Sequence, residues 1–111
     1  MNISILCQNI GGYDEKLDCL YTVYLLYPEI PSYNLIQDEN YFVPLINKYF
    51  IEIQTPEQGD LLLFKLFNGF HFGIYAGDDK FFHCCKKHKL RLTNLSAYKK
   101  FLKGVYKWFH Q

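Results

Sequence analysis

The stretch from Gly59 to Cys85 constrains this chain more than any other. Apolar and aromatic residues run from Asp60 to Leu66, Asn68-Gly69 interrupts them, Phe70 to Ala76 resumes the run, Gly77-Asp78-Asp79 interrupts again, and Lys80 to Cys85 follows. Short β-favouring runs separated by turn residues, with no interval long enough for a crossover helix, fold as an antiparallel meander. A three-residue loop at Gly77-Asp78-Asp79 sets Ala76 opposite Lys80, Gly73 opposite His83 and His71 opposite Cys85. The two histidines then lie diagonally on one face, roughly 7–8 Å apart between backbones, and Gly73 leaves space above that face. A two-residue loop would put them on opposite faces.

The flanking segments complete an α+β layout. Gly11-Gly12 and the polar residues after them read as a loop. Asp18 is placed to cap a helix from Cys19 to Tyr27, whose apolar positions Leu20, Val23, Tyr24 and Tyr27 recur at helical spacing and which Pro28 and Pro31 end. Between Ser32 and Gln54 the pattern blurs: either Asp38 caps a short helix through Tyr49, or Pro44 inside that stretch marks its first turn. Past the meander, Leu90 to Leu92 reads as a strand, Leu95 to Leu102 as a short helix capped by Asn94 or Ser96, and Val105 to Phe109 as a closing strand. At 111 residues the expectation is one domain spanning 1–111, a helix that carries a cysteine packed on an antiparallel sheet.

Composition excludes several classes. Twelve Lys and Arg against eleven Asp and Glu give a net charge of +1, without the basic footprint of a nucleic-acid or anionic-membrane binder. The N-terminus has no basic region ahead of an apolar signal core, and no apolar run reaches the ~20 residues that span a bilayer. The expectation is synthesis in the cytoplasm without a signal peptide, any outside role depending on another export route. Ten Phe, ten Tyr and one Trp exceed what a small core buries, so part of the set is available to line a groove. Of the cysteines at 7, 19, 84 and 85, the vicinal pair points to opposite faces of a strand and makes a poor disulfide framework, so reduced thiols are expected. Zinc at His83, Cys84, Cys85 and His88 is disfavoured for the same divergence, and no metal or cofactor is expected. Lys86, Lys87, Lys89 and Arg91 read as a solvated strand end or loop, or alternatively as an attraction to an acidic polymer. Asp60 reads as a strand-entry residue bonding local backbone rather than as a catalytic acid.

A thiol in the first turn of a helix meets the positive end of the helix dipole and unpaired N–H groups, which favour thiolate and, at the Cys19 amide, can receive an oxyanion. Taken alone, Cys19 reads equally as a small apolar filler, and His71 between Phe70 and Phe72 as a half-buried structural residue. Together they match the needs of nucleophilic catalysis: Cys19 attacks, one histidine takes the proton, and the second holds the first by hydrogen bond.

The order and spacing of Asp18-Cys19-Leu20, of Pro56-Glu57-Gln58-Gly59-Asp60-Leu61-Leu62-Leu63-Phe64, and of His71-Phe72-Gly73-Ile74-Tyr75-Ala76-Gly77-Asp78-Asp79-Lys80-Phe81-Phe82-His83 resemble the NlpC/P60 family of papain-like cysteine peptidases across about residues 8 to 109. The aromatic-rich insert and the closing Gly104-Val105-Tyr106-Lys107-Trp108-Phe109 resemble the branch found in phage tails and gene-transfer particles. The resemblance implies hydrolysis of peptidoglycan stem peptides, typically at the D-isoglutamyl bond to diaminopimelate or lysine, through a thioester. It implies Cys19 as nucleophile, His71 as base, His83 as the orienting residue, and phage-tail or other delivery-particle proteins as further partners, with a virion-associated location. Two departures stand out. Where many members carry a tyrosine about a dozen residues before the cysteine, this chain has Cys7 and Gln8, with Tyr13 nearer, leaving Gln8 or Tyr13 as oxyanion donor. Only eighteen residues precede Cys19, so the usual N-terminal helix is expected to be missing. Two other readings remain: an amidase or acyltransferase on another acyl substrate, and a tail-tip assembly protein that keeps the fold without catalysis.

Overall fold

The strand-rich half folds around the turns that its sequence marks. A computed structural model describes residues 3–30, 39–67 and 69–109. In chain order the elements are α1 (Ser4–Cys7), α2 (Leu20–Leu26), α3 (Glu39–Tyr49), β1 (Phe50–Ile53), β2 (Leu61–Leu66), β3 (Gly69–Gly77), β4 (Lys80–His83), β5 (Arg91–Asn94) and β6 (Leu102–Trp108). The strands form one sheet of order β1-β6-β2-β3-β4-β5 with every pair antiparallel. Among the described residues no helix is long and apolar enough to cross a membrane.

The β3–β4 hairpin reaches the expected register by a different route. Its turn is the two residues Asp78 and Asp79, both left-handed at φ 55° and 60°, the conformation that matches the twist of a tight hairpin and that Asp tolerates. Gly77 pairs with Lys80, and the register then shifts between Tyr75 and Gly77. This irregularity absorbs the residue that a three-residue loop would have held. Tyr75 therefore pairs with Phe81, Ile74 with Phe82 and Gly73 with His83, and the two histidines share a face as expected. The ladder stops there, so Cys85 leaves the strand instead of pairing with His71.

Both faces of the central strands are covered, which explains the unbroken run Leu61-Leu62-Leu63-Phe64. Leu61, Leu63, Phe72, Ile74, Phe82 and Cys84 pack with the helices. Leu62, Phe64 and Phe81 face the other way, beside Val105 of the neighbouring strand β6, and pack with Leu95, Tyr98 and Phe101. Within α2, Leu20 and Val23 are buried, and just beyond its end Tyr27 is buried too, donating its hydroxyl to the Gly59 carbonyl at 2.6 Å and so tying the helix to the entry of β2. Trp108 stacks between Tyr27 and Tyr49, at 4.7 and 5.5 Å between ring centres, joining β6 to α3. Asp60 is a buried strand-entry residue: its carboxylate accepts the Glu57 amide at 2.7 Å and the Lys107 ammonium at 3.1 Å.

Several elements differ from their sequence expectation. Pro44 lies inside α3 rather than in its first turn; Asp38, like Asn68, lies outside the described residues. β1 follows α3 without a break, and no turn residue separates Tyr49 from Phe50 to announce it. Leu95 to Leu102 is two short 3₁₀ turns, Leu95–Ala97 and Lys99–Phe101, followed directly by β6, and Asn94 occupies the cap position without a side-chain bond. The strand expected at Leu90 to Leu92 runs from Arg91 to Asn94 instead, and a single helical turn, α1, precedes the Gly11-Gly12 loop.

Candidate functional site

Asp18 does not cap α2. It takes the left-handed conformation, φ 50°, and Cys19 occupies the cap position itself. The turn is held from several sides. The Asp18 carbonyl accepts the Tyr21 amide at 3.0 Å and the Cys84 thiol at 3.6 Å, while its carboxylate accepts the Tyr13 hydroxyl at 2.7 Å. The Cys19 amide has no main-chain acceptor among the described residues.

The Cys19 thiol is 2% exposed. Burial pushes it up to about 12 from 9.0, the Asp18 carboxylate adds to the effect, and the amides of Phe72 and of Cys19 itself oppose it. That rise corresponds to about 4 kcal/mol, several times the ~0.3–1 kcal/mol a helix terminus contributes. The sequence argument for a resting thiolate is thereby overturned: in a helix of seven residues, desolvation outweighs the dipole, and the thiol rests protonated.

His71 and His83 are 9% and 3% exposed. His71 Nε2 and His83 Nδ1 are 3.0 Å apart, with the rings nearly perpendicular at 87°. His83 Nε2 lies 2.8 Å from Thr93 Oγ1, and its ring stacks on Phe81 with centres 4.7 Å apart and meets Tyr98 edge-on at 5.3 Å. Burial lowers His71 to about 4, Asp18 pulling slightly the other way. It lowers His83 to about 3, helped by the charges of His71, Arg91 and His88. Both imidazoles are neutral at neutral pH. In this chain of contacts Nδ1 of His71 is the nitrogen not engaged by His83. If Nδ1 is to accept a proton, Nε2–H must donate to His83 Nδ1, and His83 Nε2–H must then donate to Thr93 Oγ1. The reverse pair, with His83 Nδ1–H donating to His71 Nε2 and the Thr93 hydroxyl donating to His83 Nε2, fills the same two contacts but leaves His71 Nδ1 protonated.

Cys19, His71 and His83 open onto a single cleft of about 260 Å³, together with Asp18, Tyr98 and Arg91. Gln8 is exposed at the end of α1 and does not line it. Nor does Tyr13, whose hydroxyl proton is held by Asp18. The sequence reading missed Thr93 and Tyr98 and counted Arg91 among surface lysines. Lys86, Lys87 and Lys89 are exposed as expected, whereas Arg91 is partly buried. Finding these residues requires the β4–β5 register, which sets Arg91 opposite His83 and Thr93 opposite Phe81, and no turn signal fixes that register. All four cysteines are free, and among the described residues no three His, Cys, Asp or Glu side chains converge to hold a metal ion.

Residues 9–107, nearly the whole chain, match the model of the NlpC/P60 family. No curated protein sequence matches it.

Proposed function

Since the chain belongs to the NlpC/P60 family, whose members are generally cell-wall peptidases, we propose that it is a cysteine endopeptidase of peptidoglycan stem peptides that works through Cys19, His71 and His83. The observation that carries this reading is the ordered contact from His71 Nε2 to His83 and on to Thr93, beside a thiol in the same cleft. As the Cys19 sulfur attacks the scissile carbonyl carbon, Nδ1 of His71 takes the thiol proton, and the negative charge passes from sulfur to the carbonyl oxygen. The Cys19 amide, which has no main-chain acceptor among the described residues and lies against its own sulfur, is the donor we assign to that oxygen, in place of Gln8 or Tyr13. His71 returns the proton to the leaving amine, leaving a thioester. A water molecule, deprotonated by the same nitrogen, cleaves the thioester to the free acid and restores the thiol. Because the resting pair is neutral, proton transfer accompanies attack instead of preceding it.

The burial and raised proton affinity of Cys19 favour a second reading, a tail-tip assembly protein that keeps the fold without catalysis. Digestion of purified sacculi, with mass spectrometry of the soluble products, separates the two. The peptidase releases stem-peptide fragments, and Cys19→Ala releases none. No release by the native protein leaves the assembly reading.

A further inference from the structure

Arg91 is the cation of the cleft, and nothing in the described protein neutralises it. It sits on β5 opposite His83, on a strand rather than a loop, and lines the same cleft as Cys19 and His71. Its Nε is buried without a hydrogen-bond partner, and the ion pairs among the described residues, Lys80 with Asp78 and Lys107 with Glu57 and Asp60, do not include it. A second hollow that also touches Arg91 is lined by Lys80, Leu92, Thr93 and Asn94, none of them acidic. The cleft's acid, Asp18, has one carboxylate oxygen taken by the Tyr13 hydroxyl and makes no ion pair with Arg91. A partly desolvated guanidinium whose charge no acid offsets is costly until an anion reaches it; because Nε is enclosed, the anion must bind the terminal Nη groups. The acceptor that fits its planar fork is a carboxylate, bound through two parallel hydrogen bonds.

We propose that Arg91 forms a carboxylate subsite, holding a free carboxylate that the acyl substrate carries within a side chain's length of the scissile carbonyl. This rests on the peptidase reading and sharpens it: the preferred substrate is an acidic peptide, and converting that carboxylate to a carboxamide weakens it. In a γ-linked D-glutamyl peptide the group in question is the α-carboxylate beside the cleaved γ-amide.

The test compares two peptides, acetyl-L-alanyl-γ-D-glutamyl-L-lysine with the glutamyl α-carboxylate free and the same peptide with it amidated. The native protein should prefer the free acid in kcat/KM by about tenfold or more, the range of a charge-assisted hydrogen bond. Arg91→Gln should erase that ratio, chiefly through KM, and Arg91→Lys should restore part of it. An unchanged ratio in Arg91→Gln overturns the subsite, as does an equal loss on both peptides, which would mean that Arg91 acts only through its neighbour His83. Calorimetric binding of both peptides to Cys19→Ala and to the Cys19→Ala, Arg91→Gln double variant keeps the subsite testable if no peptide is cleaved. Tighter binding of the free acid that depends on Arg91 supports it, and equal affinities overturn it.

Discussion

Replacing His83 tests the orienting role at a position where structure and chemistry can be separated. His83 is 3% exposed and makes two polar contacts, at 3.0 Å to His71 and 2.8 Å to Thr93. In His83→Leu the His71 Nε2–H, which is buried, and the Thr93 hydroxyl, which is partly buried, both lose their partner. Each such loss costs ~1–3 kcal/mol, so unfolding stability should drop by about 2–6 kcal/mol, less whatever the leucine regains against Phe81 and Tyr98. His71 would also be released to rotate and to exchange tautomers, and the proton-bearing nitrogen would then face the thiol part of the time. Loss of a tautomer-fixing partner costs up to ~10⁴ in kcat in the serine-protease example; a neutral partner should cost less, about 10²–10³. His83→Gln is the control. Its side-chain carbonyl accepts from His71, its amide reaches toward Thr93, and it should keep within about tenfold of native kcat. Steady-state hydrolysis of a muropeptide, measured well below each variant's melting temperature, reads the difference in kcat with KM nearly constant. Equal kcat for the Gln and Leu variants would refute the orienting role and leave a Cys19-His71 dyad.

Three further outcomes follow from the same geometry. Thr93→Val removes the acceptor of His83 Nε2–H and should lower kcat several-fold, while Thr93→Ser restores it; a loss in both alike would assign Thr93 to packing. Stability should fall on both sides of a plateau between about 6.5 and 9. The buried histidines are depressed below 6.5, so on acidification the unfolded chain binds protons that the folded chain refuses. Cys19 and Cys84 are raised above 9.0, so in alkali the folded chain holds protons that the unfolded chain releases. Chemical denaturation across pH checks both arms, and a stability that keeps rising above pH 9 contradicts the buried thiols. Gly73→Ala would place its Cβ 2.7 Å from a Phe81 ring carbon and 2.9 Å from the Phe82 carbonyl oxygen. It should destabilise by about 1–3 kcal/mol or more, read as a lower melting temperature.

The sequence made the meander legible because turn residues and apolar runs are local signals. It also made the shared face of His71 and His83 legible, although by a compensating pair of errors: the loop is one residue shorter than expected, and a register shift at Ala76 restores the parity. Gly73 shows the limit of local reading, since the space expected above it is filled by Phe81. The ionisation of Cys19 was misread because a helix terminus is visible in a sequence, whereas the burial that outweighs it depends on packing between α2, β3 and β4. Thr93, Tyr98 and Arg91 were hidden for a related reason: they reach the cleft only through the pairing of β5 with β4 and the 3₁₀ turns after it. The proposed site is therefore readable in its sequence-adjacent parts and silent in those that arrive from a distant strand.

The central claim is that the Cys19 sulfur becomes acylated during turnover, and it can be measured on the protein itself. Mixing with a slow acyl substrate, such as a γ-D-glutamyl thioester or activated ester, followed by acid quench and peptide mapping by mass spectrometry, should reveal one hydroxylamine-sensitive adduct. It should lie on the peptide containing Cys19, form and decay at the rate of product release, and be absent in Cys19→Ala, with Cys7, Cys84 and Cys85 unmodified. Turnover that proceeds in Cys19→Ala, or acylation spread over all four cysteines, would contradict the account.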